Sequence, residues 1–239
     1  MKTVNVGNVN FHNYSFTEFM DLFKSRLEKG QKTFVVTANP ELVIFANKNE
    51  QYLKTLKKAD FITPDGIGIV IASKILKKPL KERVAGFDLM GKLLEYAEDM
   101  GFTVYLLGAK NETLEKAYQN ILKKHPNLKI VGKHHGYFDI SDEKVAKEIN
   151  DLKPDIVFAA LGFPKQEYWI ERYIEQFEKG LFMGVGGSFD VWAGEVKRAP
   201  DLWIKLNLEW LYRLIKQPTR LKRMLALPMF LIKIIFGRK

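Results

Sequence analysis

The sequence of 239 residues contains no cysteine, which excludes disulfide bonds and thiolate metal sites. A reducing compartment such as the cytosol is the simplest setting for such a chain. Its four histidines lack the spacing of zinc ligands, and no Asp-x-Asp pair is present to hold a metal ion together with a diphosphate. We therefore expect no metal site, so that any bound diphosphate must be neutralised by arginine, lysine or backbone dipoles.

Two nucleotide-binding motifs and two kinds of apolar segment are also missing. Neither G-x-x-x-x-G-K-[ST] nor G-x-G-x-x-G occurs, which argues against a P-loop nucleotidase and a dinucleotide-dependent dehydrogenase. The first 16 residues lack the apolar core of a signal peptide. The apolar run at 224–236 has 13 residues and includes Pro228 and Lys233. We therefore expect it to be too short to span a bilayer.

The apolar runs that are present predict an α/β fold. They are short, lack a period of two residues and alternate with helical patterns, as in a parallel sheet covered on both faces. We predict a mostly parallel, Rossmann-like sheet with helices on both faces, preceded by a small hairpin at 4–11. Asn39 and Pro40 form a helix start, and Asn111 is a candidate cap for a later helix. The predicted strands are 33–38, 61–63, 103–108, 128–132, 155–162 and 181–187.

Polar and glycine residues recur directly after the predicted strands. In an open parallel sheet the carboxyl ends of the strands share one edge, and ligands bind beyond that edge. We therefore expect these residues to gather around one cleft. They are Thr37 and Asn39, Thr63 to Gly66, Gly108 to Asn111, Gly162 to Gln166 and Gly184 to Gly187.

The stretch "FITPDGIGIV" places a carboxylate, Asp65, between a proline and a glycine. A helix N-cap or an ordinary turn accounts for such an aspartate equally well. However, Asp65 is the only acid between Asp60 and Glu82, and the runs on both sides have buried composition. We interpret it as a carboxylate at the ligand edge that can accept a proton from a substrate hydroxyl.

Three further stretches contain candidate binding residues. In "GVGGSFD" the backbone N–H groups of Gly184, Gly186 and Gly187 can approach a phosphate or a sugar closely, although tight packing of a strand on a helix is the alternative. Gln166, at a helix start, either reads a uracil or sugar hydroxyl through its amide or lies in solvent. Arg83 follows a basic run and is either a surface charge or, if it folds over the cleft, a ligand for a diphosphate.

The net charge of +10 is concentrated near the C-terminus. Residues 201–239 carry nine Lys and Arg against two acids, so seven of the ten net positive charges lie there. The run at 201–217 predicts one helix that Pro218 ends or kinks, and Pro228 is expected to interrupt the apolar run that follows. Dense Leu, Ile, Phe and Trp among basic residues is typical of an interfacial helix on anionic lipid. A helix docked on the core is the alternative, and the aliphatic face argues against nucleic acid.

Five stretches together resemble the WecG/TagA/CpsF glycosyltransferases, most closely the TagA branch of N-acetylmannosaminyltransferases of wall teichoic acid synthesis. They extend over residues 35–200, and the basic apolar tail is similar to the C-terminal appendage of that family. The resemblance implies a catalytic core at 1–196 and a membrane-associating appendage at 197–239. The five stretches are "VVTANPELVIFANKN", "ADFITPDGIGIV", "ERVAGFDL", "LGFPKQEYWI" and "GVGGSFDVWAGEVKRAP".

The resemblance also implies an inverting, metal-independent enzyme that needs no cofactor. It would move N-acetylmannosamine from UDP-N-acetylmannosamine to the C4 hydroxyl of the N-acetylglucosamine on undecaprenyl diphosphate. By motif match, Asp65 aligns with the catalytic base proposed for the family. The matching substrate-pocket positions are Thr37, Asn39, Arg83 and Gln166, and the candidate arginines of the appendage are Arg213, Arg220 and Arg223.

The partners implied are UDP-N-acetylmannosamine, the undecaprenyl-linked acceptor and an anionic membrane surface, with no nucleic acid. The implied location is the cytoplasmic face of the bacterial cell membrane, where the protein would be peripheral. Whether it forms a homo-oligomer in solution is left open. Two other interpretations also remain. One is a transferase of the same family with a glucosyl or N-acetylmannosaminuronosyl donor, for capsule or enterobacterial polysaccharide. The other is a non-catalytic nucleotide-binding scaffold held at the membrane by its tail.

Overall fold

The computed structural model of the chain describes residues 2–216 and 226–236, apart from the side chains of Arg213 and Ala226. The strands are β1 (Thr3–Val6), β2 (Val9–His12), β3 (Thr33–Ala38), β4 (Phe61–Pro64), β5 (Thr103–Gly108), β6 (Lys129–His134), β7 (Ile156–Ala160) and β8 (Leu181–Gly184). The helices are α1 (Phe16–Glu28), α2 (Pro40–Ala46), α3 (Glu50–Lys57), α4 (Ile67–Ile75), α5 (Gly86–Met100), α6 (Asn111–Lys124), α7 (Glu143–Leu152), α8 (Lys165–Tyr173), α9 (Ser188–Trp192), α10 (Asp201–Lys205), α11 (Glu209–Lys216) and α12 (Ala226–Phe236).

Six of these strands form one parallel sheet in the order β4-β3-β8-β7-β5-β6. The strands β1 and β2 form a separate antiparallel hairpin, as predicted. The register places Thr37 of β3 beside Thr63 of β4, so the loops after these two strands emerge side by side. β7 ends at Ala160 and β8 at Gly184, earlier than predicted, and the polar residues that follow therefore lie in loops.

Helices cover both faces of the sheet, which confirms the predicted fold class. Successive residues of a strand point to opposite faces, and this divides the core in two. Val36 and Val157 lie in the core beneath α2, α3, α4, α7 and α8. Val35 and Ile156 lie in the core beneath α1, α5, α6 and α9. All four side chains are fully buried, which is why the strands read as continuous apolar runs.

One of the two predicted helix starts is confirmed and the other is wrong by one residue. Asn39 caps α2, since its Oδ1 accepts a hydrogen bond from Leu42 N–H at 3.0 Å. In contrast, Asn111 is the first residue of α6, and the cap position belongs to Lys110. The turn after β5 uses positive φ at Gly108 (128°) and Ala109 (60°). That sharp turn sets the residue at which α6 begins.

The single helix predicted for residues 201–217 is wrong, because α10 and α11 are separate. Asn207 adopts a left-handed φ of 59° between them. Its N–H donates to Ile204 O at 2.9 Å, and Leu208 N–H donates to Trp203 O at 2.8 Å. These two bonds satisfy the last carbonyls of α10 in the way typical of a helix that ends on a left-handed residue.

Pro228 does not interrupt the apolar run, contrary to the prediction. It is the third residue of α12, where an amide has no partner within the helix and proline is tolerated. The predicted break at Pro218 lies outside the described residues. Phe230 of α12 is buried in the core, while Phe236 is 78% exposed. Within the described ranges no helix is both long enough and apolar enough to cross a membrane.

Candidate active site

A cleft of about 1280 Å³ opens along the edge where the six parallel strands end. Every strand of the sheet contributes the loop that follows it. One lining residue from each loop is, in chain order, Asn39, Asp65, Ala109, Gly136, Leu161 and Val185. The cleft lies where an open parallel sheet is expected to bind its ligand. Its volume is at the upper end of, or above, the roughly 300–1,000 Å³ typical of small-molecule sites.

Asp65 lies on the wall of this cleft, in the turn between β4 and α4. Its N–H donates to Ala38 O at 2.9 Å and to Thr63 O at 3.0 Å, and its Oδ2 accepts from Gly86 N–H at 3.2 Å. Gly66, with φ of 140°, occupies the cap position of α4. The N-cap alternative for Asp65 is therefore wrong. Backbone contacts hold the residue while its side chain stays 29% exposed.

Arg83 also lines the cleft, and its alternative as a solvated surface charge is wrong. Its side chain is only 17% exposed, with Nη2 at 2.7 Å from Glu209 Oε2 and 3.9 Å from Asp65 Oδ1. Burial works against the guanidinium charge, but Asp65 and Glu209 together raise the pKa of Arg83 above its ordinary value. A permanently charged arginine thus lies between a carboxylate of the core and one of helix α11.

Thr37 connects the cleft to the centre of the sheet. Its Oγ1 donates to Gly184 O at 3.0 Å. A Cβ on Gly86 would lie 2.9 Å from Thr37 Oγ1. The close approach explains why glycine begins α5 next to Asp65. Gly184 itself ends β8 behind the cleft, whereas Gly186 and Gly187 line it. The three predicted glycines therefore divide into two that face the cleft and one that supports it.

Gln166 is 4% exposed, so its alternative as a solvated residue is wrong. Its Oε1 accepts from Gly186 N–H at 3.1 Å, and its Nε2 donates to Glu167 Oε1 at 2.7 Å. Both ends of the amide are therefore engaged by the protein. Asn39 likewise lines the cleft while its oxygen caps α2. Each of these two amides has a structural contact in addition to a place on the wall.

Arg198 and Glu209 are among the charged cleft residues that sequence reasoning did not single out. Arg198 pairs with Asp88 at 2.6 Å and lies 4.7 Å from the centre of the Phe87 ring. Glu209 contacts Arg83 from the C-terminal segment. Arg198 lies inside a stretch that carries the family resemblance, but nothing in the sequence distinguishes it from its neighbour Lys197. Nothing in the sequence around Glu209 indicates that it lies in the cleft, because its partner Arg83 is 126 residues away.

Charge in the described part of the cleft is unevenly divided. Four cations line it, namely Arg83, Lys110, Lys165 and Arg198. Six acids line it, namely Glu41, Asp65, Asp139, Asp190, Glu195 and Glu209. Residues 2–216 and 226–236 contain no group of three or more His, Asp or Glu arranged to hold a metal ion. Of the three predicted arginines of the tail, Arg220 and Arg223 lie outside the described residues, as does the side chain of Arg213.

The parallel sheet, the cleft at its carboxyl edge and the charged groups on its wall define a Rossmann-like α/β protein with a ligand site at the strand ends. The chain belongs to the glycosyl transferase WecG/TagA/CpsF family, whose model matches residues 4–239. It is 41% identical to the N-acetylglucosaminyldiphosphoundecaprenol N-acetyl-beta-D-mannosaminyltransferase of Staphylococcus aureus strain MW2. The match covers 99% of this chain and 93% of that relative. The protein of the same name from strain NCTC 8325 / PS 47 matches with the same identity and coverage. The protein is therefore a glycosyltransferase.

Proposed function

We propose that this glycosyltransferase moves N-acetylmannosamine from UDP-N-acetylmannosamine to the C4 hydroxyl of N-acetylglucosamine on undecaprenyl diphosphate. The product would be the linkage-unit lipid of wall teichoic acid. The name of the staphylococcal relatives supports the transferred sugar and the acceptor. The observation that carries the proposal is Asp65, a partly exposed carboxylate held by backbone contacts on the wall of the large cleft at the strand ends.

In this proposal Asp65 acts as the general base of an inverting displacement. The acceptor hydroxyl loses its proton to the Asp65 carboxylate as its oxygen bonds to the anomeric carbon. The bond from that carbon to the UDP oxygen breaks on the opposite face, and UDP leaves with the electron pair. Positioned cations and N–H groups stabilise the charge that develops on the leaving diphosphate. No step requires a metal ion or a cofactor.

The proposed ligands of the diphosphate are Arg83 and the N–H of Gly187, in the loop whose Gly186 N–H is bound by Gln166 Oε1. Both lie on the cleft wall, and backbone N–H groups at a strand-to-helix loop suit phosphate. Thr37, Asn39 and Gln166 complete the proposed substrate pocket, and Gly184 supports its loop.

The proposed appendage, residues 197–239, supplies the positive charge that the described cleft lacks. Six acids against four cations on the described wall would disfavour a ligand with two phosphates unless more cations arrive. The segment 201–239 carries seven net positive charges, and Arg213, Arg220 and Arg223 are the proposed donors. We further propose that the appendage holds the core, residues 1–196, at the cytoplasmic face of the membrane, where the lipid acceptor lies.

The test is turnover of Asp65→Asn on a lipid-linked acceptor, with UDP release as the readout. We expect the rate to fall by about 10²–10⁴-fold, the typical contribution of a positioned base, while the dissociation constant for UDP stays within about threefold. Asp151→Asn is the matched control, because Asp151 is an exposed acid at the end of α7 outside the cleft. Near-native turnover of Asp65→Asn would remove Asp65 from the mechanism.

The same assay with a panel of UDP-sugars tests the donor. We expect release of UDP from UDP-N-acetylmannosamine at a rate well above that from UDP-glucose or the uronosyl donor. A preference for either of those would redirect the proposal to capsule or enterobacterial polysaccharide. No release from any donor with the lipid acceptor present would favour a non-catalytic scaffold.

A further inference from the structure

Glu167 is a fully buried acid at the start of α8, and the mechanism proposed above does not use it. Burial raises the pKa of its carboxyl to about 7, and Gln166 and the nearby Tyr52 oppose part of that rise. The Tyr52 hydroxyl and Glu167 Oε2 are themselves without a hydrogen-bond partner of standard geometry. Burying a carboxyl in this way costs free energy of folding. We therefore looked for a function of Glu167 that would explain why an acid occupies this position.

The contact that points to such a role is the one with Gln166. Glu167 Oε1 accepts from Gln166 Nε2 at 2.7 Å, and Gln166 Oε1 accepts from Gly186 N–H at 3.1 Å. If the amide turned over, its NH₂ would face the Gly186 N–H and its oxygen would face Glu167 Oε1, so two donors would meet at one end and two acceptors at the other. The acceptor oxygen of Glu167 therefore adds to the preference for the one orientation that binds Gly186.

The fit around this amide is close. A Cβ on Gly184 would lie 2.5 Å from Gln166 Nε2, so the amide packs directly against the end of β8. Gly186 has φ of 50°, a left-handed conformation that the Gln166 hydrogen bond helps to hold. The buried acid, the amide and the glycine loop thus form one chain of contacts from the core to the cleft.

We propose that Glu167 is a positioning residue, which holds the Gln166 amide in the orientation that fixes the glycine loop at Gly186. That this loop then binds the diphosphate of the sugar donor rests on the proposed function. The positioning of Gln166 and Gly186 by Glu167 does not depend on the proposed function.

The test compares Glu167→Met, which removes the acceptor, with Glu167→Gln, which keeps an acceptor oxygen of similar length. Hydrogen exchange of the Gly186 amide should be at least tenfold faster in Glu167→Met and within about threefold of wild type in Glu167→Gln. The dissociation constant for UDP should follow the same pattern. Glu171→Gln, one turn further along α8 and ion-paired with Lys58, is the matched control and should change neither quantity.

A double-variant comparison separates positioning from general stability. If Glu167 acts through Gln166, then Glu167→Met added to Gln166→Ala should leave Gly186 exchange as it is in Gln166→Ala alone. An additive effect of the two changes would overturn the proposal. So would exchange and UDP affinity in Glu167→Met within twofold of wild type.

A measurement on the wild-type protein decides the matter should Glu167→Met fail to fold. The Gln166 side-chain NH₂ proton that is bonded to Glu167 should exchange with solvent at least tenfold more slowly than the NH₂ protons of a solvent-exposed side-chain amide. Exchange as fast as that of an exposed amide would contradict the proposal. These readouts need no sugar transfer, so an inactive wild type with a protected Gln166 amide would refute the proposed function alone.

Discussion

At the scale of single residues, charged groups of the cleft are held by partners from distant parts of the chain. Asp65 is held by Gly86, 21 residues away, and Arg83 by Glu209, 126 residues away. Arg198 and Asp88 are separated by 110 residues. In a partly desolvated site such pairs orient the guanidinium groups as well as stabilising them. The chemistry of the cleft therefore depends on the fold as a whole.

The raised pKa of Glu167 makes a prediction about stability and pH. Its value of about 7 exceeds the ordinary 4.5, so between these values the folded protein keeps a proton that the unfolded chain releases. Rising pH then lowers the free energy of unfolding by about 3 kcal/mol in all, at 1.36 kcal/mol per pH unit. The loss is absent below about pH 4.5 and complete above about pH 7.

Glu167→Gln, which lacks this titration, should gain stability relative to wild type as pH rises from 4.5 to 7. Urea unfolding of both proteins at half-unit intervals from pH 4.5 to 8 measures the difference. Glu171→Gln serves again as the control, since Glu171 is partly exposed. Curves for wild type and Glu167→Gln that stay parallel over this range would contradict a strongly raised pKa.

Sequence reasoning reached cleft residues that directly follow strands, because strand ends are recognisable and the topology brings them together. Asp65 and Asn39 are examples, and both line the cleft. It did not reach Arg198 and Glu209, whose positions depend on how the C-terminal segment returns to the core. It also gave no sign that Gln166 is buried, because burial of a first helical turn depends on the loop that covers it.

At the scale of elements, the core was predictable and the C-terminal segment was less so. Five strands of the parallel sheet are wholly or almost wholly buried, so their apolar composition identifies them, whereas the edge strand β6 is partly exposed along its length. The break between α10 and α11 depends on the left-handed φ of 59° at Asn207. The spacing of apolar residues does not indicate which backbone conformation a single residue adopts, so the break could not be predicted from it. The proline in α12 was misjudged because its effect depends on how far it lies from the start of the helix.

The packing of α12 on α4 gives a prediction at this scale. A Cβ on Gly68 of α4 would lie 2.2 Å from Leu227 Cδ1 and 2.8 Å from Pro40 Cγ. Gly68→Ala should therefore lower the free energy of unfolding by about 1–3 kcal/mol, as overpacking does. Alanine's better helix propensity, worth up to about 1 kcal/mol, is not expected to compensate.

Gly91→Ala is the matched control, because Gly91 lies inside α5 and a Cβ there meets nothing within 4 Å. It should raise the free energy of unfolding by up to about 1 kcal/mol. Urea unfolding at pH 7 measures both variants. Equal stabilisation by the two substitutions would mean that α12 does not pack over Gly68.

At the scale of the whole molecule, α12 combines two apolar faces with opposite surroundings. Phe230 is 3% exposed and packs in the core with Leu231 and Ile234 against it. On the outer side Ile232 is 54% exposed and Phe236 is 78% exposed. A helix that is apolar all round is normally buried, and here only one side is covered by the core. The outer side of α12, a helix that follows a strongly basic stretch in the sequence, is therefore the surface that the proposed membrane contact would use.

This arrangement predicts binding of the full chain to anionic vesicles. Vesicles with phosphatidylglycerol should retain the protein in a sedimentation assay far better than vesicles of phosphatidylcholine alone. Retention should weaken as salt rises from 0.05 to 0.5 M, since salt screens the basic segment.

The double variant Ile232→Ser, Phe236→Ser tests the apolar part of the contact without disturbing the core. A buried Ile or Phe side chain contributes about 1.5–3 kcal/mol, and about 1.4 kcal/mol corresponds to a tenfold change in binding. Even partial insertion of both residues should therefore make the double variant bind at least tenfold more weakly. The matched control is Leu152→Ser, because Leu152 is 42% exposed on α7, away from α12. Equal loss of vesicle binding in both variants would show that general surface hydrophobicity, not the outer face of α12, carries the protein to the lipid.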